Sequence, residues 1–149
     1  MICFNLNSVL LITPDDGVGQ ELPDQNPHEP WMRIEAQTIG EALRQVRFHK
    51  PEVLVIDLSE QQTGGADFHH MLRVMTEVRT RIPNTSIVVL GAAEDPAMEP
   101  AVRRQGATVY LPISRERGRG DAREIIQALY ARHGPTRVHG PPASGVPPR

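Results

Sequence analysis

Runs of apolar residues recur along the chain and are separated by polar, proline-rich or amphipathic segments. Continuous runs predict strands that are buried on both faces of a sheet, because a strand with one solvated face would alternate apolar and polar residues. The predicted strands cover residues 8–13, 31–37, 53–58, 86–92 and 108–113.

Helical periodicity appears between and after these runs. The first clear helix begins at Thr38, since Thr38 and Glu41 have the spacing of a capping box. Pro96 suits the first turn of a later, short helix, whereas Pro100 is awkward inside it. The predicted helices cover about residues 38–49, 67–82, 94–106 and 121–134.

Strands and helices therefore alternate, which predicts a doubly wound, five-stranded parallel sheet with helices on both faces. Residues 14–30 are the exception, because four prolines and two glycines oppose a helix there. The helix expected between the first two strands is thus degenerate or replaced by a loop. Either this loop covers the sheet together with Trp31, or Trp31 and its surroundings bind another protein.

Length and composition limit the possible classes of protein. The 149 residues predict one domain over 1–134, followed by a flexible, proline- and glycine-rich tail over 135–149. A net charge of −2 does not indicate nucleic-acid binding. Cys3 is the single cysteine, which fits a reducing, cytoplasmic compartment, and the apolar start is too short to span a membrane.

Asp57 ends the apolar run in PEVLVIDLSE, at a strand end where open α/β sheets collect functional groups. The segments KPEVLVIDL, NTSIVVLGA and QGATVYL, with Gly65 eight residues after Asp57, resemble the response-regulator receiver domain. The resemblance covers about residues 8–133. It implies a flavodoxin-like fold, with Asp57 at the phosphoacceptor position of bacterial two-component signalling.

The resemblance also implies an acidic pair after the first strand, which holds Mg²⁺ in the family. Thr13 and Pro14 occupy the matching positions, and Asp15 and Asp16 come two residues late. Because Mg²⁺ requires oxygen ligands in near-octahedral geometry, these positions predict no metal site. No other cluster of ligands has the spacing of a metal centre.

Two further positions of the phosphoryl pocket depart from the family. Gly91 stands where the family has threonine or serine, and Ile113 stands where it has lysine. Phosphoryl transfer to Asp57 needs a metal ion and fixed donors for the developing charge. Asp57 is therefore predicted to cap the strand end by accepting hydrogen bonds from backbone amides. Tyr110 matches the family's switch aromatic and is predicted to be an exposed strand tyrosine with its ring on the last helix.

The arginines after the fourth predicted strand suggest an interaction surface. Together with Tyr110 they fall on the face that receiver domains use for dimers and partner docking, formed by the fourth helix, fifth strand and fifth helix. One interpretation is a surface for a protein partner or a homodimer contact, and the alternative is an ordinary solvated surface whose charges are screened. Direct nucleic-acid binding is not predicted, since too few aromatics interleave the basic residues. The arginines are Arg103, Arg104, Arg115 and Arg117.

These observations predict an atypical receiver-like protein that regulates by protein–protein interaction, needs no cofactor and is not an enzyme. One alternative is a true single-domain response regulator, phosphorylated on Asp57 by a histidine kinase with Mg²⁺. A second alternative is a structural subunit of a larger assembly, which would lose a partner when residues 135–149 are removed.

Overall fold

The computed structural model describes residues 1–6, 8–14 and 32–114, together with Glu124 and Ala128. Strands and helices alternate after the first hairpin, as the apolar pattern predicts. The strands are β1 Ile2–Leu6, β2 Val9–Thr13, β3 Met32–Glu35, β4 Val53–Asp57, β5 Ser86–Ala92 and β6 Val109–Ile113. The helices are α1 Ile39–His49, α2 Ala66–Arg81 and α3 Met98–Arg104.

The six strands form one sheet in the order β3-β1-β2-β4-β5-β6. From β2 through β6 the neighbours in this order are parallel, whereas β1 is antiparallel to both β2 and β3. All five predicted strands exist, and they share one direction. The sheet differs from the predicted five-stranded parallel sheet by one additional strand, because β1 inserts antiparallel between the first two predicted strands.

The inserted strand β1 had a local signal in the sequence. Ile2, Phe4 and Leu6 alternate with less apolar residues, and the dipeptide Asn7-Ser8 follows. Such alternation before two turn-forming residues is typical of a hairpin. In the structure Leu6 pairs with Val9 at the end of β1 and the start of β2.

The contact between β1 and α1 includes a partly buried polar pair. Asn5 Nδ2 lies 2.9 Å from His49 Nδ1, while Asn5 Oδ1 is buried without a hydrogen-bond partner. Burial lowers the pKa of His49 below its ordinary value of 6.5. Protonation of this histidine therefore opposes folding as the pH falls, because the folded state favours the neutral ring.

The main core lies between one face of the sheet and the three helices. Alternate residues of the central strands point to this face and meet the apolar stripe of α2. The intervening strand residues Leu11, Val55 and Leu90 point to the opposite face and are also fully buried. This two-sided burial confirms the interpretation of the continuous apolar runs. Fully buried large side chains of the main core include Leu10, Ile12, Leu54, Ile56, Phe68, Met71, Met75 and Ile87.

The start of α1 follows the predicted local chemistry, whereas Pro96 lies before the first residue of α3 and not in its first turn. Thr38 is the N-cap of α1, and its hydroxyl accepts the Glu41 N–H at 3.1 Å. Lys50 ends α1 in the left-handed conformation, with φ 46°. In α3, Pro100 is the third residue, where the missing N–H leaves no intrahelical bond unmade.

Several sequence predictions fall outside the described residues. They include the loop over residues 15–30, the tail over 135–149 and most of the last predicted helix. Glu124 and Ala128 of that helix are described, and both are helical and exposed. Within the described residues, no helix combines the length and apolar character needed to cross a membrane.

Candidate functional site at the carboxyl edge of the sheet

The carboxyl ends of β2, β4, β5 and β6 meet at one edge of the sheet, and four predicted pocket residues meet there. Thr13 and Asp57 end β2 and β4, and both side chains are buried. Gly91 pairs with Pro112, and Ala92 pairs with Ile113, at the ends of β5 and β6. The parallel topology thus assembles the positions that the family resemblance assigns to the phosphoryl pocket.

Asp57 is held at this edge by Ser59, a residue that the sequence analysis did not single out. The Asp57 Oδ1 atom accepts the Ser59 N–H at 3.0 Å and the Ser59 hydroxyl at 2.6 Å. Both residues are buried, with exposed fractions of 4% and 6%. Aspartate followed two positions later by serine is typical of a side-chain turn, and this was the available signal. The backbone-amide bond expected of a strand-end cap is therefore present.

Gly91 lies directly under the ring of Tyr110. A Cβ atom added at Gly91 would be 2.1 Å from Tyr110 Oη and 2.2 Å from Cε1. Real Cβ atoms do not approach other atoms so closely, so any side chain at position 91 requires the ring to move. The tyrosine thus occupies the space that the threonine or serine of the family would take.

The position of Tyr110 corrects the prediction of an exposed strand tyrosine. The residue is 9% exposed and belongs to the main core, because glycine at position 91 leaves room for an inward ring. Its hydroxyl is 3.5 Å from the Ala92 carbonyl oxygen. Burial raises the pKa of Tyr110, and the negative charges of Glu99 and Asp95 raise it further. Tyr110 accordingly does not contribute an exposed ring to the predicted interaction surface.

Ile113, at the position where the family resemblance implies a lysine, carries an aliphatic side chain. The Ile113 side chain is 3% exposed, and its carbonyl oxygen accepts the Ala93 N–H at 3.1 Å. No group of three histidine, cysteine or carboxylate side chains suited to a metal ion occurs among residues 1–6, 8–14 and 32–114. Asp15 and Asp16, the acids that came late in the sequence, lie outside the described residues.

A hydrogen-bonded clasp joins the two loops beside Asp57. The Asp95 Oδ2 atom, in the loop after β5, accepts the Thr63 N–H at 3.0 Å and the Thr63 hydroxyl at 2.7 Å. Asp95 Oδ1 also accepts the Ala97 N–H at 3.2 Å. These bonds connect the loop that follows β4 with the loop that follows β5, although they lie at the surface.

The hydrogen bonds of this clasp should be detectable through the pKa of the Asp95 carboxyl group. The Thr63 N–H and then the Thr63 hydroxyl lower the Asp95 pKa below 3.8, so the clasp stabilises the fold above that pH and is lost on acidification. Thr63→Val removes only the hydroxyl donor and is expected to raise the Asp95 pKa partway toward 3.8. NMR titration of the Asp95 carboxyl carbon between about pH 5 and pH 2 measures the change. Thr80→Val, on the exposed side of α2, is the control, and an unchanged Asp95 pKa in Thr63→Val would contradict the clasp.

The predicted arginine surface is only partly described. Arg103 and Arg104 are exposed in the last turn of α3. Arg103 Nε lies 2.9 Å from Glu99 Oε2, one helical turn earlier, so part of its charge is compensated. Trp31, Arg115 and Arg117 lie outside the described residues.

Known proteins resemble this chain in structure but not detectably in sequence. The sequence matches no protein-family model and no curated protein. The structure is similar to NtrX from Brucella abortus, with 16% identity, a TM-score of 0.54 and coverage of 87% of this chain and 28% of that one. The receiver domain of NtrX from Brucella abortus is 14% identical, with a TM-score of 0.50 and coverage of 83% and 98%.

A third similar structure is the REC domain of AraT, a response regulator from Geobacillus stearothermophilus. It is 22% identical, with a TM-score of 0.50 and coverage of 83% of this chain and 92% of that one. The fold class is therefore that of a response-regulator receiver domain, which confirms the predicted flavodoxin-like architecture. The inserted strand β1 is this chain's addition to the five-strand order that the sequence predicted.

Proposed function

We propose that this chain is an atypical receiver-like module that regulates a partner protein by direct contact, without phosphorylation of Asp57. The observation that carries the proposal is the Tyr110 ring packed over Gly91. Gly91 offers no hydroxyl to a phosphoryl group. It also has no side chain whose movement could be coupled to a rotation of the Tyr110 ring.

The chemistry of phosphoryl transfer supports the same conclusion. An aspartyl phosphate forms when a carboxylate attacks phosphorus, and the growing charge must be met by cations and aimed donors. Ile113 supplies an aliphatic side chain at the position where the family resemblance implies a lysine. Asp57 Oδ1 already accepts two hydrogen bonds from Ser59, which orient the carboxylate toward its own loop.

Binding to another protein is the remaining use of such a scaffold. The proposal places a protein partner, or a second copy of the chain, on the face formed by α3, β6 and the last predicted helix. Exposed Arg103 and Arg104 and the exposed side chain of Val109 support this location. The proposal includes no enzymatic activity and no cofactor.

Acetyl phosphate with Mg²⁺ tests the proposal directly. The full chain and Asp57→Asn are incubated side by side, and intact-mass spectrometry under acidic conditions counts the phosphoryl groups. We expect no mass increase in either protein, while an ordinary receiver domain in the same buffer gains one phosphoryl group. A gain that disappears in Asp57→Asn would instead establish the alternative, a true single-domain response regulator.

Beryllofluoride provides a second measurement that does not depend on turnover. It mimics a phosphoryl group on aspartate, so a competent pocket would show chemical-shift changes around Asp57 and Tyr110 in an NMR titration. We expect the amide signals of both residues to stay in place. Shifts at both residues that vanish in Asp57→Asn would reject phosphorylation independence.

A further inference from the structure

A groove runs between α1 and α2 on the outer surface of the helical layer. Its cavity has a volume of about 340 Å³. Ile39, Leu43 and Ile82 form an apolar floor, and these side chains are only partly buried against the core. The groove therefore presents hydrophobic area that the described part of the chain leaves accessible.

The rim of this groove carries an excess of positive charge. Three arginines, Arg47, Arg73 and Arg81, line it together with one carboxylate, Glu77. Glu77 Oε2 lies 2.7 Å from Arg81 Nε, so that pair is compensated. Arg47 and Arg73 are exposed, and within the described ranges no carboxylate pairs with either of them. An apolar floor with two available guanidinium groups favours a ligand that is both apolar and acidic.

The groove is long enough for a folded segment of another chain. Through Arg47 and Ile82 it continues into a cavity of about 520 Å³ beside Lys50, and through Gly40 and Arg73 into one of about 580 Å³. The eleven residues of α1 extend over roughly 16 Å, which equals about three turns of a helix lying alongside. This shape exceeds what a single phosphate or carboxylate group fills.

Gly40 leaves the mouth of the groove open. It is the second residue of α1, and the nearest atom to an added Cβ would be Thr38 Oγ1 at 3.8 Å, an ordinary contact. Neither the backbone nor the packing requires glycine there, and alanine is favoured in helices by up to about 1 kcal/mol. The missing side chain instead allows another backbone to approach α1 closely.

We propose that this groove binds an acidic, amphipathic helix of a partner protein. Apolar side chains of that helix contact Ile39, Leu43 and Ile82, and its carboxylates pair with Arg47 and Arg73. The site is separate from Asp57 and from the arginines of α3. The inference goes beyond the proposed function, because it names a second surface and the chemistry of its partner.

Peptide display on the full chain tests this site without knowledge of the natural partner. A library of random peptides about fourteen residues long, roughly four helical turns, is selected against the immobilised protein. We expect the enriched peptides to carry Asp or Glu together with apolar residues spaced three and four apart. Fluorescence anisotropy of the synthesised peptides then gives their affinities at low and physiological salt.

Charge reversal locates the bound peptides. The double variant Arg47→Glu/Arg73→Glu is expected to weaken binding about tenfold, and exchange of the peptide's acids for lysines should recover part of the loss. Gly40→Gln should also weaken binding by filling the mouth of the groove. Arg44→Glu is the matched control, because Arg44 is exposed on α1 but does not line the groove. Circular dichroism with thermal melting checks that each variant is folded.

Three results would overturn the inference. The first is that no acidic helical sequences are enriched. The second is that the affinity of the enriched peptides does not change when Arg47 and Arg73 are replaced. The third is that single-stranded poly(U) RNA competes with the peptides, which would identify the groove as a nucleic-acid site. The Asp57→Asn variant should bind the peptides unchanged. Phosphorylation of Asp57 would therefore reject the proposed function while leaving this result intact, so the two failures are distinguishable.

Discussion

Replacement of Gly91 by threonine is expected to destabilise the fold by about 2–3 kcal/mol, at the upper end of the range for an overpacked core. The cause is local, because a Cβ at this position would fall 2.1 Å from Tyr110 Oη. The ring must leave its buried position, and its apolar surface then meets water. Urea denaturation followed by circular dichroism measures the loss as a lower unfolding midpoint.

A double-mutant cycle separates this collision from other effects of threonine. In a Tyr110→Ala background, the threonine side chain enters the space that the ring has vacated, so Gly91→Thr should cost less than about 1 kcal/mol. Gly40→Ala is the control for an ordinary glycine replacement, because its added Cβ meets no atom closer than 3.8 Å. Equal costs of Gly91→Thr in the two backgrounds would show that the ring does not occupy position 91.

Removal of the Ser59 hydroxyl is expected to cost about 1.5–3 kcal/mol, the usual contribution of a hydrogen bond to a charged group. Ser59→Ala leaves the backbone N–H bond to Asp57 Oδ1 intact but removes the shorter, 2.6 Å hydroxyl bond. Both residues are buried, so water does not readily replace the lost donor. The same urea titration gives the change in unfolding free energy.

Two further variants serve as controls for the change in unfolding free energy of Ser59→Ala. Ser86→Ala changes an exposed serine at the start of β5 and should stay within about 0.5 kcal/mol of the wild type. The loss from Ser59→Ala should shrink when Asp57 is already replaced by asparagine, because the carboxylate charge strengthens the bond. A loss no larger than that of Ser86→Ala would mean that the hydroxyl does not hold Asp57.

Ser59→Ala also tests the proposed loss of phosphotransfer. If the hydrogen bonds from Ser59 alone kept Asp57 from reacting, their removal would allow labelling by acetyl phosphate. We expect none, because the Tyr110 ring over Gly91 and the aliphatic Ile113 remain unchanged. Absence of labelling in Ser59→Ala would show that the hydrogen bonds from Ser59 are not the sole cause of the unreactive Asp57. The lack of a hydroxyl at position 91 and of a lysine at position 113 would then be sufficient.

The location of the candidate site could be predicted from the sequence, whereas the side-chain contacts within it could be predicted only in part. Asp57 at a strand end, and the substitutions at Gly91 and Ile113, were evident from the sequence and its resemblance to receiver domains. The contact of Ser59 with Asp57 was not predicted, although an aspartate two residues before a serine is a local turn signal. The prediction for Tyr110 was wrong because its burial depends on a glycine nineteen positions earlier, which only strand pairing brings beneath the ring.

The sequence by itself determined five of the six described strands and the helices α1 to α3, together with their order. Continuous apolar runs specify strands such as β4 and β5, and the spacing of Thr38 and Glu41 specifies the start of α1, because these signals depend on residues close together in the chain. Only the tertiary structure decided where β1 lies and whether Tyr110 faces inward. Both depend on pairing between distant segments, since a strand accepts neighbours on either side and a ring takes whatever space its neighbours leave.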